Sequence, residues 1–350
     1  MTRIAILGFS NSGKTTLFNA LTGLEAPTAP HPFTTADPNV GVLKVVDPLL
    51  DRIAVLEGSR KVTRATLDLH DLPAVRPGSV RRLGPGREPE AILMVLRGHE
   101  AGWVPAGSHG TDAVEQAEEL LVELAVSDFE VFHRRRDRIA KEASADPELR
   151  PAAEAIARAA DLLAEGTPLR QFPWSEAELG AFRGLSPLSL LPCIWVINTG
   201  EDDPDQESHA GRLREVVPPT DPVLAVSALL EEEVVRFDPA EREEIYEGLG
   251  LGQGARGAVT GALDLLTFYT MNSRESRAWM VSRGSTARQA AGKIHSDLER
   301  GFIRAEVAPI EEVVRHGGWA RTRSTGGVIR IEGKDYLVQD GDVMLVRFSV

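Results

Sequence analysis

Gly8-Phe9-Ser10-Asn11-Ser12-Gly13-Lys14-Thr15 sets two glycines five residues apart and follows the second with a lysine and a hydroxyl. Those residue types at that spacing suit a polyphosphate. The glycines let the backbone N–H groups of Asn11, Ser12, Gly13 and their neighbours converge on a β-phosphate. Lys14 would neutralise the β/γ oxygens, the Thr15 hydroxyl would bind Mg²⁺, and Thr16 continues the phosphate-facing first turn of a helix. Only six of the 350 residues are lysines, so a lysine at this place by accident is improbable.

Further candidates must say which phosphate chemistry this is. Thr34 and Thr35 lie in a loop held open by Pro27, Pro30, Pro32 and Pro38, where a threonine can close over Mg²⁺ and a γ-phosphate. Asp71 closes a strand pattern and suits the carboxylate that holds Mg²⁺ through water; Asp68 is a rival for that place. Asn198-Thr199-Gly200-Glu201 follows an apolar strand. There the Asn198 amide can meet a purine and brace the phosphate loop, and Glu201 can accept from base-edge donors. Ser227-Ala228, after the next strand, would offer the purine a backbone N–H.

Other reactive side chains read more simply. Cys193, the single cysteine, sits in an apolar run as a buried thiol, and His70 beside Asp71 reads as a structural strand-end residue. His133 to Arg138 is a basic run whose Arg forks suit RNA phosphates, or which simply faces solvent. A formal charge of −13 argues against free DNA as a partner, because neutralising phosphates takes a basic face. The longest apolar runs fall far short of a spanning helix, so no membrane role, a cytoplasmic location and a monomer are expected.

The elements that must position these residues follow from periodicity. Arg3–Leu7 reads as a strand and Lys14–Leu21 as a helix, the strand-loop-helix setting a phosphate loop needs. Val40–Val46 and Val62–Asp71 read as strands, with a helix over Asp47–Glu57 capped by Asp47 and started by Pro48. Ala91–Leu96 is wholly apolar, like a strand buried on both faces of a parallel sheet. Two amphipathic helices joined at Glu142–Ala145 should form an antiparallel hairpin, after which strands return at Cys193–Ile197 and Val223–Val226. Beyond Leu263, short strands at 267–270, 277–281, 328–331, 336–338 and 343–348 surround one helix at Ser285–Arg300, with Trp279 and Phe302 in the core. The fold class is therefore α/β. Residues 1–110 and 186–262 are expected to form a nucleotide-binding domain with a mostly parallel sheet. Residues 111–185 form the helical insertion, and 263–350 a small α+β module.

The whole chain resembles the YchF, or Obg-like ATPase, branch of the Obg family of switch NTPases. Ala278-Trp279, Gln289 to Asp297, Gly301 to Ala305 and Glu332-Gly333-Lys334-Asp335-Tyr336 through Asp340-Gly341-Asp342-Val343 look like that family's TGS domain. Pro32-Phe33-Thr34-Thr35 with Asp37-Pro38-Asn39 resembles its first switch, which puts the Mg²⁺ threonine at Thr35. The resemblance implies a G domain with a coiled-coil-like insertion, ATP and GTP binding with ATP preferred, slow hydrolysis, and association with the ribosome. Asn198 with Glu201 fits the family's Asn-x-x-Glu, in which a displaced glutamate loses the bidentate grip on guanine. Asn11 stands where potassium-stimulated relatives carry an asparagine, which suggests K⁺ as a second cofactor.

At the second switch the chain departs from the family's Asp-x-x-Gly, reading Asp71-Leu72-Pro73-Ala74. The alanine replaces the glycine whose N–H approaches the γ-phosphate, and Pro73 stiffens the loop. The catalytic residues are left unassigned, and two readings stay open: a slowly hydrolysing ATP/GTP switch, or a non-hydrolysing nucleotide-binding scaffold with a degenerate second switch.

Overall fold

Short apolar runs bounded by turn residues, alternating with amphipathic helices, give the chain its order of elements. The structure is a computed structural model and describes residues 2–27, 38–76, 80, 88–100, 110–201, 203, 206–251 and 254–349. From the N-terminus run β1 (Thr2–Leu7), α1 (Lys14–Thr22), β2 (Asn39–Lys44), α2 (Pro48–Glu57), β3 (Lys61–Thr63), β4 (Thr66–Asp71) and β5 (Ala91–Arg97). Then come α3 (Ala113–Ala145), α4 (Arg150–Ala164), α5 (Glu176–Phe182), β6 (Cys193–Asn198), α6 (Gln206–Arg214), β7 (Val223–Val226), α7 (Ala228–Val234), α8 (Pro239–Gly248) and α9 (Gly254–Ala262). The rest is β8 (Leu265–Met271), β9 (Glu275–Ser282), α10 (Ala287–Ile294), α11 (Ser296–Arg300), β10 (Phe302–Pro309), α12 (Ile310–His316), α13 (Trp319–Thr325), β11 (Arg330–Glu332) and β12 (Asp342–Phe348).

The chain divides into two compact units. In the unit of Arg3–Gly41 and Asp68–Val259, the sheet order is β2-β4-β1-β5-β6-β7, and β1, β5, β6 and β7 pair in parallel. Every residue of β5 is buried, as its apolar sequence requires of a strand covered on both faces. Leu7, Met94 and Trp195 pack with Leu120 and Leu124 of α3. Asp112 caps α3 by accepting from Val114 N at 2.8 Å.

The hairpin α3–α4 differs from expectation in its turn. Helix α3 runs through Glu142–Ala145, and the chain reverses at Asp146–Leu149, where the Asp146 carboxylate accepts from Glu148 N. Nothing in Glu142–Ala145 disfavours a helix, whereas Pro147 disfavours helical backbone at Asp146. Phe132 meets Phe182 edge-on at 5.1 Å, inside a core shared with Ile139, Ile156 and Leu163.

The second unit contains Val42–Leu67 and Thr260–Val350, with sheet order β11-β10-β12-β8-β9-β3. It takes up a segment that the sequence groups with residues 1–110. The strand expected at Val62–Asp71 is two strands: β4 enters the first sheet, and β3 pairs in parallel with β9, Lys61 opposite Glu275. Lys61 bridges Glu275 at 3.0 Å and Thr63 Oγ1 donates to the same carboxylate. Helix α2, capped by Asp47 as expected, buries Leu50 and Ile53 against Tyr269, Ala278, Val313 and Trp319. The helix expected at Ser285–Arg300 is broken at His295, whose extended backbone ends α10 and whose Nδ1 accepts from Asp297 N. Thr286, not Ser285, caps α10, in a capping box with Gln289. Residues 336–338 contribute one isolated bridge, at Leu337, in place of a strand. Strand β10 and helices α12 and α13 had no counterpart in the sequence expectation. Trp279 and Phe302 are half-buried against Leu266, Phe268 and Ala290.

Candidate nucleotide site

Strand β1 delivers the chain into Gly8, and the loop from Gly8 to Gly13 turns it into α1. Gly8, Asn11 and Gly13 all have positive φ, 156°, 62° and 90°. Gly13 has a second constraint, because a Cβ there would collide with the Asn198 amide nitrogen. The loop closes with a Leu17 N–H bond to Gly13 O at 2.9 Å.

Within this cradle Lys14 is buried, and its Nζ donates to Phe9 O at 2.7 Å. Burial pulls its ammonium down to about 8, and the charge of Asp71 opposes that shift. Thr15 Oγ1 donates to Asp71 Oδ2 at 2.8 Å. Asp71 is buried, with Oδ1 lacking any hydrogen-bond partner, whereas Asp68 is only half-buried, and the Thr15 hydroxyl donates to Asp71. Of the two rival carboxylates, Asp71 is therefore the one beside the hydroxyl. Among the described residues no cluster of three His, Cys, Asp or Glu side chains could hold a metal alone. A hydroxyl and one carboxylate with a bare buried oxygen fit Mg²⁺, which takes its remaining ligands from phosphates and water. Thr34 and Thr35 lie outside the described residues.

On the base side, Asn198 ends β6. Its Nδ2 donates to Ser12 O at 3.1 Å, and its Oδ1 accepts from Ala228 N at 2.9 Å. The bracing expected of Asn198 is present, and of the two N–H groups that Ser227-Ala228 could offer a purine, that of Ala228 donates to Asn198. Ser227 caps α7, its Oγ accepting from Leu230 N at 3.4 Å, and Glu201 is exposed in the turn after β6. Asn198 O accepts from Gly98 N at 2.9 Å and lies 2.9 Å from His99 Nδ1. Gln116 of α3 exchanges two 2.9 Å bonds with the Arg97 backbone, which ties the helical insertion to the end of β5.

The second-switch segment lies along the cradle. Leu72 N donates to Ile6 O and Val75 N to Gly8 O, at 3.2 and 3.0 Å. Pro73 falls between these bonded positions, so its missing N–H costs no contact. Ala74 has no positive φ, so an alanine is unstrained there. His70 is buried in β4. Cys193 is buried, and its thiol is pushed up to about 11 by burial against the charge of Arg170. In the basic run, Arg135 pairs with Glu142 and Arg136 with Asp161, whereas Arg134 and Arg138 are exposed.

Asn39 was missed by the sequence reading as a site residue, and its Nδ2 donates to Asp71 Oδ2 at 3.0 Å. The first-switch resemblance includes Asn39 in Asp37-Pro38-Asn39, but nothing in that motif says that its amide meets Asp71.

Comparison with known proteins gives concordant matches. A family model described as 50S ribosome-binding GTPase matches residues 3–122. The YchF-GTPase C-terminal model, described as a protein of unknown function, matches residues 265–349. The ribosome-binding ATPase YchF of Escherichia coli O157:H7 is 34% identical over 361 residues, covering 99% of each chain. Its namesake in Bacillus subtilis is 32% identical, covering 99% of this chain and 98% of its own. The solved Schizosaccharomyces pombe YchF GTPase shares the fold, with TM-score 0.77, 22% identity and coverage of 99% and 97%. With relatives above 30% identity along nearly the whole chain, the chain belongs to the YchF family.

Proposed function

We propose that this protein is a Mg²⁺-dependent nucleotide switch that binds ATP in preference to GTP, hydrolyses it slowly and associates with the ribosome in the cytoplasm as a monomer. The observation that carries the reading is the Thr15–Asp71 pair, 2.8 Å apart, behind a glycine-built cradle with a buried lysine. Bound Mg²⁺ would neutralise charge between the β- and γ-phosphates. The chain's own residues do the rest. The N–H groups around Gly13 and the start of α1 bind the phosphates, and Lys14 leaves Phe9 O for them. Asp71 holds the Thr15 proton, which would leave the hydroxyl's lone pairs free for a metal. Asn198 fixes the loop through Ser12 while Glu201 reads the base edge. Support for the ribosome comes from the E. coli and B. subtilis relatives, which are named ribosome-binding ATPases. Among the described residues no helix is long and apolar enough to cross a membrane.

A second reading, the non-hydrolysing scaffold, is favoured by Leu72 and Val75, which are tied to β1 and Gly8 and buried. Calorimetry of ATP against GTP with Mg²⁺, followed by phosphate release with and without ribosomes, tests both. ATP-preferring binding with release above background supports the switch. Tight binding without release supports the scaffold, and no nucleotide binding overturns both.

A further inference from the structure

The two oxygens of Asp71 are not alike. Its Oδ2 accepts twice, from Thr15 Oγ1 at 2.8 Å and from Asn39 Nδ2 at 3.0 Å, while Oδ1 of the same buried carboxylate has no partner. Two donors on one oxygen fix the rotation of the carboxylate and so fix where the bare oxygen points. A buried carboxylate oxygen without a partner is unfavourable unless something completes it.

Lys14 is the obvious competitor for that oxygen, since its ammonium feels the Asp71 charge, yet it donates to Phe9 O at 2.7 Å. A Lys14–Asp71 ion pair would occupy both groups that a nucleotide needs. The Asn39 amide is a neutral donor, so it orients the carboxylate without cancelling its charge. Asn39 opens β2, four residues beyond Thr35, and Asp71 ends β4, which lies beside β2 in the sheet. The contact thus joins the exit of the first switch to the root of the second.

We propose that Asn39 is a positioning residue: by occupying Asp71 Oδ2 together with Thr15, it turns Asp71 Oδ1 toward the magnesium site, and so sets how tightly Mg²⁺ holds the nucleotide. The inference rests on the Mg²⁺-dependent reading above. Orienting partners of this kind typically change metal affinity 10–100-fold when removed.

The test is release of a fluorescent ATP analogue from the full chain, measured from excess EDTA through increasing Mg²⁺, for the wild type, Asn39→Ala and Asn39→Asp. In Asn39→Ala the Mg²⁺ concentration for half-maximal retention should rise about tenfold while the EDTA rate stays within about twofold. Asn39→Asp keeps the shape, lacks the N–H donor and adds a like charge, so it should shift at least as far; it also carries the comparison if the alanine variant does not fold. A merely structural asparagine would move the EDTA rate and the melting temperature as much as the Mg²⁺ midpoint, and that result overturns the proposal. An unmoved midpoint in both variants, with a normal wild-type response, also overturns it and leaves the switch reading intact. A wild type whose release ignores Mg²⁺ overturns the switch reading and this inference together.

Discussion

On the phosphate side of the site the charged groups are buried and already placed: Lys14 on Phe9 O, and Asp71 between Thr15 and Asn39. On the base side the candidate carboxylate, Glu201, is exposed, and the amide of Asn198 is engaged at both ends within the protein. On the proposed reading the difference teaches that the fold itself places the groups that would meet phosphate, whereas Glu201, the carboxylate that would read the base, is left exposed. Preorganised buried donors give affinity, and a solvated carboxylate gives modest selectivity.

The sharpest way to break that comparison is Lys14→Met. Loss of a charge-assisted contact to phosphate should weaken ATP binding about 100-fold by calorimetry. An affinity close to wild type would mean that the phosphate side is not where binding energy is concentrated. Lys14 also gives a pH signature. Its ammonium lies at about 8, against 10.5 for a free lysine, so the unfolded chain binds more protons between those values. Stability of the nucleotide-free protein should therefore rise with pH across that window and be lowest below it. A bound polyphosphate restores the charge, so binding at about pH 9 should take up close to one proton, seen as a buffer-dependent heat that Lys14→Met abolishes.

Next in size is Asn198→Ala, which tests whether the two sides are one site. It leaves Ser12 O and Ala228 N without partners, and about 2–4 kcal/mol of stability should be lost in denaturant unfolding. Affinity for ATP and for GTP should fall together. A loss for one nucleotide alone would make Asn198 a base reader first and a brace second.

Smaller still is Glu201→Asp. An exposed side chain should change stability by under about 0.5 kcal/mol. The ATP-to-GTP affinity ratio should fall about tenfold, a difference of about 1.4 kcal/mol. A ratio that does not move would remove Glu201 from base reading. Least of all is the cation effect at Asn11, with phosphate release faster in potassium than in sodium. Equal rates would leave Asn11 as a loop residue in left-handed backbone and nothing more.

Legibility from sequence followed the range of the interactions. Asp47 with Pro48 announced α2, and the apolar run of β5 announced a strand buried on both faces, because caps and burial patterns are local. The His295 break in the C-terminal module was missed, since helical propensity alone does not register an extended residue between two short helices. Strand β3 shows the limit more clearly. Val62 and Thr63 fall within the strand expected at Val62–Asp71, but their partner is β9, and β propensity carries no information about which edge a strand joins. Ala74 shows the converse: its φ is not positive, so the backbone conformation there does not call for a glycine.

The sequence by itself determined the phosphate cradle, because glycines, a lysine and a hydroxyl at that spacing carry their chemistry within eight residues. It also determined the order of strand, insertion and C-terminal module, through periodicity and breakers. Only the tertiary structure decided that Asp71 rather than Asp68 meets Thr15, that Asn39 shares its oxygen, and that Asn198 ties Ser12 to Ala228. Those contacts join residues 30 to 186 positions apart. They form because the parallel sheet brings strand ends together at one edge, a juxtaposition that no local pattern encodes.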